Sequence, residues 1–364
     1  MENQRKKLLK MIEEGRISAE EAFKLLEAME REEKEAKQKE EKAVEVSPFV
    51  DEKAFQKEEP PRERDLKKKV FSFLDQTVKK IKDTDLDFNF GTSYDVNQIF
   101  QHSDMEVSSL DLDIANGNVT IEPWSQNEVR IECSAKVYKV NSQEEAKKLF
   151  SQETIFSTEE GKIRFNVQNK GIKVKAHLFI PNVEYNEIIL RTFNGPIVGK
   201  DLKIGNLKAK TANGSLSFEN IRGEKGEFET VHGALSLQNI SLNKCEGETI
   251  NGAINLRGEA RHVDLQTFNG SIEQYLIQPS QYVFLKSTAG SIKTFFAPGA
   301  FIDGSIRSNF GNLTCNLPNV HILEEKNEKI QKVLKFRSIN SGESVTKIVA
   351  ESRTGAIGLY EREV

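Results

Sequence analysis

Cysteine is scarce in this 364-residue chain, and its three copies lie far apart. Cys133, Cys245 and Cys315 are odd in number and form no close pair of the kind that binds zinc. The spacing therefore argues against both a disulfide framework and a zinc site. We expect these residues to be reduced, small side chains that pack in the interior.

Long apolar runs are also missing. No stretch of about 18 apolar residues exists that could span a bilayer. The first residues, MENQRKKLLKMIEEG, interrupt their apolar positions with charges and show no recognisable export signal. The sequence predicts a cytoplasmic protein, and leaves open a position against the inner face of the membrane or another route to the surface.

No single sign of charge dominates the chain. Its formal net charge is −4 and its pI is near 5.9, so the excess of Lys and Arg that neutralises phosphates is absent. Nucleic acid is therefore not an expected partner. Charged residues nevertheless make up 30% of the chain, and a fraction this high indicates that part of it lies outside any core.

Motifs of known catalytic and cofactor sites are lacking as well. None of the five histidines stands in an H-E-x-x-H pattern, and no Walker loop, Rossmann fingerprint or G-x-S-x-G elbow occurs in a suitable context. We predict no catalytic residue, no metal and no cofactor, and we expect the protein not to be an enzyme.

Residues 1–30 are predicted to form a helical hairpin. Gly15 ends the first helix, and Ser18-Ala19-Glu20-Glu21 has the form of a capping box that begins the second. Two helices this short bury little surface, so the hairpin is expected to pair with another protein or with its own copy, or else to cap a domain. The candidate partner contacts are Leu8, Ile12, Leu25, Leu26 and Met29.

Residues 31–64 are predicted to be a linker rich in Glu, Lys and Pro. Residues 65–104 then hold a basic amphipathic helix, over 65–83, and a cap for the domain that follows. Over residues 62–82, eight basic and three acidic residues give a net charge of +5. The candidate contact residues are Lys67, Lys68, Lys69, Val70, Phe71, Leu74, Val78, Lys79, Lys80 and Ile81.

Two interpretations of this helix stay open. A lysine-flanked apolar stripe suits the interface of an anionic membrane, where ammonium groups meet headgroups. The same stripe suits the open end of the following domain, as a cap.

A short unit with a turn glycine recurs through the second half of the chain. The glycines stand at 195, 214, 233, 252, 270, 290, 311 and 355, so most intervals are close to 19 residues and the last is 44. A fixed period of this kind is typical of repeat architectures, whose units bury their faces by stacking. The predicted structural turns are Asn194, Gly195, Asn213, Gly214, His232, Gly233, Asn251, Gly252, Asn269 and Gly270.

Alternation at period two on both sides of each turn predicts strands. An Asn-Gly pair tolerates positive φ and favours a sharp turn, in stacked coils as in a meander of antiparallel hairpins. Because Thr and Asn recur at equivalent places, and stacked coils set such residues one above another, we predict a parallel β-solenoid over residues 105–364. The protein is expected to be mainly β.

The two ends of the repeat look irregular. Residues 105–185 are expected to form atypical first coils with a short helix at SQEEAKKLFSQ, and LEEKNEKIQ is expected to be an insertion before VLKFRS resumes the pattern. Outward positions such as Lys208, Glu227 and Glu246 mix signs and are expected to be solvated, as are Asp111 and Asp113.

The LLKMIEEGRISAEEAFKLLEAME hairpin followed by T-x-N-G units resembles a bacterial family of envelope-stress proteins typified by YvlB and LiaX. The resemblance covers nearly the full length and implies an adhesin-like β-strand repeat domain. It also implies a non-enzymatic role in the cell-envelope stress response, with an envelope-stress membrane protein as one candidate partner.

A binding and regulatory protein is therefore the expected function, with the solenoid as scaffold and the N-terminal helices as partner or membrane contact. The alternative is a carbohydrate-active or carbohydrate-binding β-helix protein of the adhesin or lyase type.

Overall fold

A computed structural model describes residues 91–103, 107–328, 330–339 and 345–362. The chain divides into two units, Met1–Arg64 and Asp65–Val364, and every described residue belongs to the second. The predicted hairpin of residues 1–30, the linker of residues 31–64 and the basic helix of residues 65–83 lie outside the described residues, so their predicted contacts stay predictions.

The described chain is mainly β, as the alternating pattern predicts. Among its described residues is one helix, α1 (Gln143–Glu153), which coincides with the predicted segment, residues 142–152, to within one residue at each end. The strands are β1 (Ser93–Ser103), β2 (Ser109–Trp124), β3 (Glu128–Tyr138), β4 (Thr154–Glu159), β5 (Lys162–Val167), β6 (Ile172–Pro181), β7 (Glu184–Asn194), β8 (Ile197–Lys200), β9 (Lys203–Asn213), β10 (Leu216–Glu219), β11 (Arg222–His232), β12 (Leu235–Asn251), β13 (Ile254–Asn269), β14 (Ile272–Leu276), β15 (Tyr282–Ala289), β16 (Ile292–Phe296), β17 (Phe301–Ser308), β18 (Leu313–Asn316), β19 (Val320–Asn327), β20 (Lys332–Ser338), β21 (Val345–Ser352) and β22 (Ile357–Glu361).

The strands form two sheets, which we name the front sheet and the back sheet. The front sheet runs β4-β5-β2-β7-β9-β11-β12-β13-β15-β21-β17-β20-β19. The back sheet runs β1-β3-β6-β2-β8-β10-β12-β13-β14-β16-β22-β18. The long strands β2, β12 and β13 contribute one half to each sheet.

Successive coils lie parallel to one another and in register with the repeat. Thr192 pairs with Thr211, Thr211 with Thr230, and Thr230 with Thr249, each step being one repeat unit. The alternative of antiparallel hairpins is therefore wrong for these coils. We refer to the parallel strands of both sheets as the coil stack.

The order of the last coils differs from their order in the chain. Phe284 of β15 pairs with Val349 of β21, and Val349 in turn pairs with Ser305 of β17. The C-terminal coil, β21 and β22, is thus inserted between the coil of β15 and β16 and the coil of β17 and β18. The 44-residue glycine interval contains the strands β19 and β20, which lie in the chain between β18 and the inserted coil.

Antiparallel strands lie at both ends of the front sheet and at the near end of the back sheet. At the far end, β20 pairs antiparallel with β17, and β19 pairs antiparallel with β20. The expectation that VLKFRS resumes the repeat is wrong, because this segment forms the antiparallel strand β20. At the near end, β3, β1 and β4 are antiparallel to their neighbours, and α1 packs on them through buried Ala146 and Phe150.

The core lies between the front and back sheets. A methyl group built on Gly247 of the front sheet would contact Leu265 of the same sheet, and also Leu235 and Ile254 of the back sheet. Inward positions carry almost entirely Leu, Ile, Val, Ala and Phe, so each coil adds a thin apolar layer. Such a layer cannot be buried by one coil alone, which is why the coils stack.

Candidate interaction surface

The recurring Thr or Ser of each unit forms a hydrogen bond to the backbone of the neighbouring coil. Thr211, buried, donates its hydroxyl to the Gly195 carbonyl oxygen at 3.0 Å, and Thr230 donates to Gly214 at 2.9 Å. Ser287 makes the same bond to Gly270 at 2.9 Å. A hydroxyl buried in this place must be paired, so only Thr or Ser suits it.

The turn glycines are needed for close approach of the backbones. A Cβ on Gly252 would overlap the carbonyl oxygen of Gly233, and one on Gly233 would overlap that of Gly214. Positive φ is found in this series only at Gly117 and Gly195 among the described residues. The expectation that positive φ is the general reason for these glycines is therefore wrong.

The Asn side chains of the turns form a ladder along the stack. Asn213 donates its amide to Asn194 at 2.7 Å, and Asn269 donates to Asn251 at 2.8 Å. His232 stands in the same row, with its Nδ1 3.0 Å from the Asn251 amide nitrogen. His232 therefore takes the place of Asn in its unit and pairs with the Asn of the next one.

A second ladder was missed by the sequence analysis. Asp201, Asn220 and Asn239 turn the chain from the back sheet to the front sheet at φ values of 54°, 57° and 57°. Asn220 donates to Asp201 at 2.7 Å and Asn239 to Asn220 at 2.9 Å. Two features of the sequence could have predicted this ladder. The three residues are spaced 19 apart, and Asp and Asn adopt positive φ more readily than most other residues.

The outer side of the front sheet carries two rows of charged and polar side chains. Parallel register sets Lys208 beside Glu227, then Glu246, then Asp264. The second row holds Lys210, Glu229, Glu248 and Gln266. We name these eight residues the charged face: Lys208, Lys210, Glu227, Glu229, Glu246, Glu248, Asp264 and Gln266.

Ion pairs cross the strands of the charged face. Lys208 lies 3.0 Å from Glu227, and Lys210 lies 2.6 Å from Glu229. Within β12, Lys244 pairs with Glu246 at 2.8 Å. Equivalent places on neighbouring coils are thus basic on β9 and acidic on β11 and β12.

Part of the charged face is shielded from water. The whole residues Glu246, Glu248 and Gln266 are 8%, 5% and 4% exposed, whereas the Glu227 side chain is 21% exposed. The expectation of a solvated face is therefore wrong for β12 and β13.

Lysines keep the shielded carboxylates ionised. Burial by itself raises the pKa of Glu227, but hydrogen bonds and charge from Lys225 and Lys208 outweigh it and lower the pKa to about 2. At Glu246 burial also acts to raise the pKa, and Lys244 and Lys225 again produce a net lowering. Glu227 and Glu246 are therefore charged at neutral pH.

Asp111 and Asp113 lie at the near end of the same sheet. The Arg191 guanidinium of the next coil bridges them, at 2.5 Å from Asp111 and 3.3 Å from Asp113. The Asp111 side chain is only 12% exposed. The expectation that both aspartates simply point into solvent is wrong for Asp111, which is an ion-paired carboxylate.

A shallow groove of about 280 Å³ lies at the far end of the front sheet, between β21 and the antiparallel strands. Arg307 pairs with Glu351 at 2.7 Å across it, and Lys335 pairs with Glu324 at 2.7 Å. Its polar lining suits a peptide or another polar surface better than an apolar ligand.

Exposed apolar side chains concentrate at this same end. Among the described residues nine large apolar side chains are exposed, and five of them fall within residues 310–339. Strand β19 pairs only with β20, so its other edge has no described partner strand. We name these five residues the cap patch: Phe310, Ile322, Leu323, Ile330 and Ile339.

Aromatic rings on the outer side of the back sheet form a further ladder. The ring centroids of Tyr275 and Phe295 are 4.4 Å apart, and those of Phe295 and Tyr360 are 5.2 Å apart. Both faces of the central ring are occupied by its neighbours. The ladder therefore supports the stack and offers no open central ring face to a sugar.

The three cysteines are free thiols. Cys133 and Cys245 are buried and free, and burial raises the pKa of each to about 12, which makes them poor nucleophiles. Cys315 is only half-buried, less than expected. Within the described ranges no cluster of His, Cys, Asp and Glu is placed to hold a metal ion, and no helix there has the length and apolar character to cross a bilayer.

A bacterial relative is similar to this chain over almost its whole length. The chain is 42% identical over 367 residues to the uncharacterized protein YvlB of Bacillus subtilis (strain 168), covering 99% of each. Residues 3–34 match a SHOCT-like domain, and residues 107–353 match the Toastrack DUF4097 family.

Solved structures show a more distant similarity. A proposed adhesin of Bacteroides fragilis is 10% identical with a TM-score of 0.41, over 73% of this chain and 97% of that one. A proposed adhesin of Parabacteroides merdae is 9% identical with a TM-score of 0.36, over 73% and 96%. On the evidence of residues 107–353 and the full-length relative, the chain belongs to the Toastrack DUF4097 family and is a homologue of YvlB.

Proposed function

We propose that the protein is a non-enzymatic binding and regulatory protein of the bacterial cell-envelope stress response. In this proposal a parallel β-solenoid is the scaffold, and a protein partner docks at the cap patch. The N-terminal helices supply a further contact, to a partner, to a second copy or to the inner face of an anionic membrane. The cellular setting rests on the resemblance of the hairpin and the repeat to envelope-stress proteins.

The cap patch is the observation that carries the proposal. Exposed apolar patches on soluble proteins mark interaction sites, and five of the nine exposed large apolar side chains stand at one end of the stack. Strand β19 lies at the same end, and an open edge accepts an extended segment of another chain as an added strand. An envelope-stress membrane protein with such a segment fits this surface.

In-cell cross-linking tests the proposal, with and without a membrane-active peptide. The double variant Ile322→Lys/Leu323→Lys places charge on the edge strand and should lower recovery of a stress-dependent partner at least tenfold. Ile99→Lys is the matched control, because Ile99 is 53% exposed on β1 at the opposite end, close to the 55% of Leu323. Equal recovery from both variants, or recovery unaffected by stress, would contradict the proposal.

A further inference from the structure

The only tryptophan of the chain lies on the outer side of the back sheet, at its near end. Trp124 is the last residue of β2, and its ring stacks on Phe179 of β6 with the ring centroids 5.3 Å apart. The imidazole of His177, two residues away on β6, has its centroid 4.1 Å from that of Phe179. All three side chains are half-buried. We name these three residues the aromatic cluster.

Hydrogen bonds hold the tryptophan ring in one orientation. Trp124 donates its indole N–H to the Glu128 carbonyl oxygen at 2.8 Å. The Glu128 carboxylate in turn accepts hydrogen bonds from Gln101 at 2.6 Å and from Ser103 at 3.0 Å. A ring that is already fixed loses little conformational freedom when a ligand packs on it, so the aromatic cluster is prepared for binding.

Two carboxylates lie beside the aromatic cluster. Register places Glu122 of β2 directly beside Phe179, and Glu132 of β3 directly beside His177. Glu122 lies 2.8 Å from His177 and Glu132 pairs with Arg130 at 2.7 Å, and the two Glu side chains are 37% and 42% exposed. Because a carboxylate has about four acceptor sites, both keep sites for further donors such as hydroxyl groups.

Lysines continue the same surface along β6. Lys173 and Lys175 point outward on the same side as the two rings of this strand, and Lys136 of β3 stands directly opposite Lys173. Asp95 lies 3.9 Å from Lys136, whereas no acidic side chain among the described residues is within ion-pair distance of Lys173 or Lys175. We name the three lysines the lysine cluster. Like charges at opposed positions repel, so an anion bound between them is stabilising.

The two clusters together suit an anionic polysaccharide. The C–H face of a sugar ring packs on the electron-rich face of an aromatic ring, and sugar hydroxyls donate to Glu122 and Glu132. At 3.3 Å per residue, Phe179 and Lys175 are about 13 Å apart along β6, so a ligand that meets both extends over several sugar residues. A nucleic acid suits this surface less well, because its phosphates would lie beside the two carboxylates.

We propose that the outer side of the back sheet at the near end binds an anionic polysaccharide. Sugar rings pack on Trp124, and carboxylate or phosphate groups of the polymer pair with Lys173 and Lys175. This inference goes beyond the protein partner proposed for the cap patch, which lies at the other end of the stack, and does not depend on it.

Tryptophan fluorescence of the purified full-length chain tests the proposal, because Trp124 is the only tryptophan. The probes are oligogalacturonate, which carries carboxylates, and a phosphomannan oligosaccharide, which carries phosphates. A neutral maltooligosaccharide and inorganic polyphosphate are the comparison ligands. We expect a saturable change of emission with at least one anionic glycan, a Kd at least tenfold lower than for either comparison ligand, and weaker binding at high salt.

Two double variants with the same change of charge locate the anionic groups. Lys173→Gln/Lys175→Gln should raise the Kd of the bound glycan at least tenfold. Lys203→Gln/Lys293→Gln is the control, because it neutralises two exposed lysines elsewhere on the two sheets and should leave the Kd within twofold.

Titration calorimetry tests the aromatic cluster. Trp124→Leu should raise the Kd at least tenfold, whereas Phe295→Leu, in the far aromatic ladder of the same sheet, should leave it within twofold. A cooperative thermal transition checks that both variants are folded. No saturable change with either anionic glycan, an equal response to polyphosphate or maltooligosaccharide, or equal weakening by both members of either pair of variants would overturn the proposal.

Discussion

Each coil of the stack depends on a buried hydroxyl and a glycine at fixed places. Thr249 donates to the carbonyl of Gly233 at 3.0 Å, and Gly252 of the same unit packs directly on that glycine. The repeat motif is thus an arrangement for bringing two backbones together and satisfying the polar groups this buries.

Gly252→Ala should destabilise the protein by about 3 kcal/mol, because the added methyl meets backbone and no side chain can rotate away. Urea unfolding measures the change. Ala253→Ser is the control, since other units carry Ser at this place, as at Ser215 and Ser271. Equal stability of the two variants would show that the close approach is not needed.

Removing Asn side chains from the ladder should lower the free energy of unfolding by less than Gly252→Ala does. Asn213→Ala and Asn251→Ala each remove amide bonds to neighbouring turns and should lower the free energy of unfolding by about 1 kcal/mol. Lys208→Ala on the exposed face should change it by less than about 0.5 kcal/mol. Thermal unfolding of the three variants compares them, and equally small effects would contradict a structural role for the ladder.

Glu227 should make stability depend on acid pH. Its pKa is lowered from 4.5 to about 2 in the folded protein, so it contributes stability above pH 4.5 that is lost as the pH falls toward 2. Glu227→Gln should flatten this part of the curve of urea midpoint against pH. Glu219→Gln, with a side chain 52% exposed, is the control, and parallel curves for all three proteins would rule out the effect.

At the scale of elements, the inserted C-terminal coil connects two parts of the stack. Strand β21 pairs with β15 on one side and β17 on the other, and β22 likewise joins β16 and β18. The coil that the chain adds last is therefore internal in the structure.

Truncation after residue 344 removes this internal coil, so it should lower the thermal stability far more than removal of the outer hairpin β19–β20. It would expose unpaired edges on β15 and β17 together, and we expect loss of the cooperative thermal transition or a large fall in Tm. Replacing residues 320–338, which form the outer hairpin β19–β20, by a short linker is the control and should lower Tm by only a few degrees. Similar losses in both would argue against the inserted order.

At the scale of the whole molecule, the stack has a closed near end and a far end with exposed apolar side chains. Antiparallel strands form the near edges of both sheets, whereas the far edge of the front sheet, β19, is free to pair with another strand. Ile322 and Leu323 are exposed apolar side chains at the far end, and their exposure agrees with a role of this end in binding.

Deletion of residues 1–30 tests the predicted hairpin module in the full-length context. If the apolar residues Leu8, Ile12 and Leu25 mediate pairing, the deletion should change the oligomeric mass in light scattering or abolish partner recovery. The unaltered full-length chain serves as the control. An unchanged mass together with unchanged partner recovery would remove the basis for the module.

Much of the fold followed from the sequence. Alternating residues such as Leu207 and Ala209 predicted strands, and the repeated T-x-N-G units predicted the parallel register, because identical residues at equivalent places favour stacking. The candidate surfaces could be predicted less well from the sequence, because they combine residues that are distant in the chain. Trp124 and Phe179 are 55 residues apart, and no local pattern showed that their rings would stack.

The amino-acid sequence by itself determined the strands, the turns and the 19-residue coil, since these depend on local alternation, on hydroxyl and amide side chains and on glycine. The tertiary structure alone decided the coil order and the shielding of Glu246 and Glu248. The physical reason is that every coil offers similar backbone hydrogen bonds at its edges. Which coil occupies an edge, and what covers a face, therefore depends on contacts between distant parts of the chain.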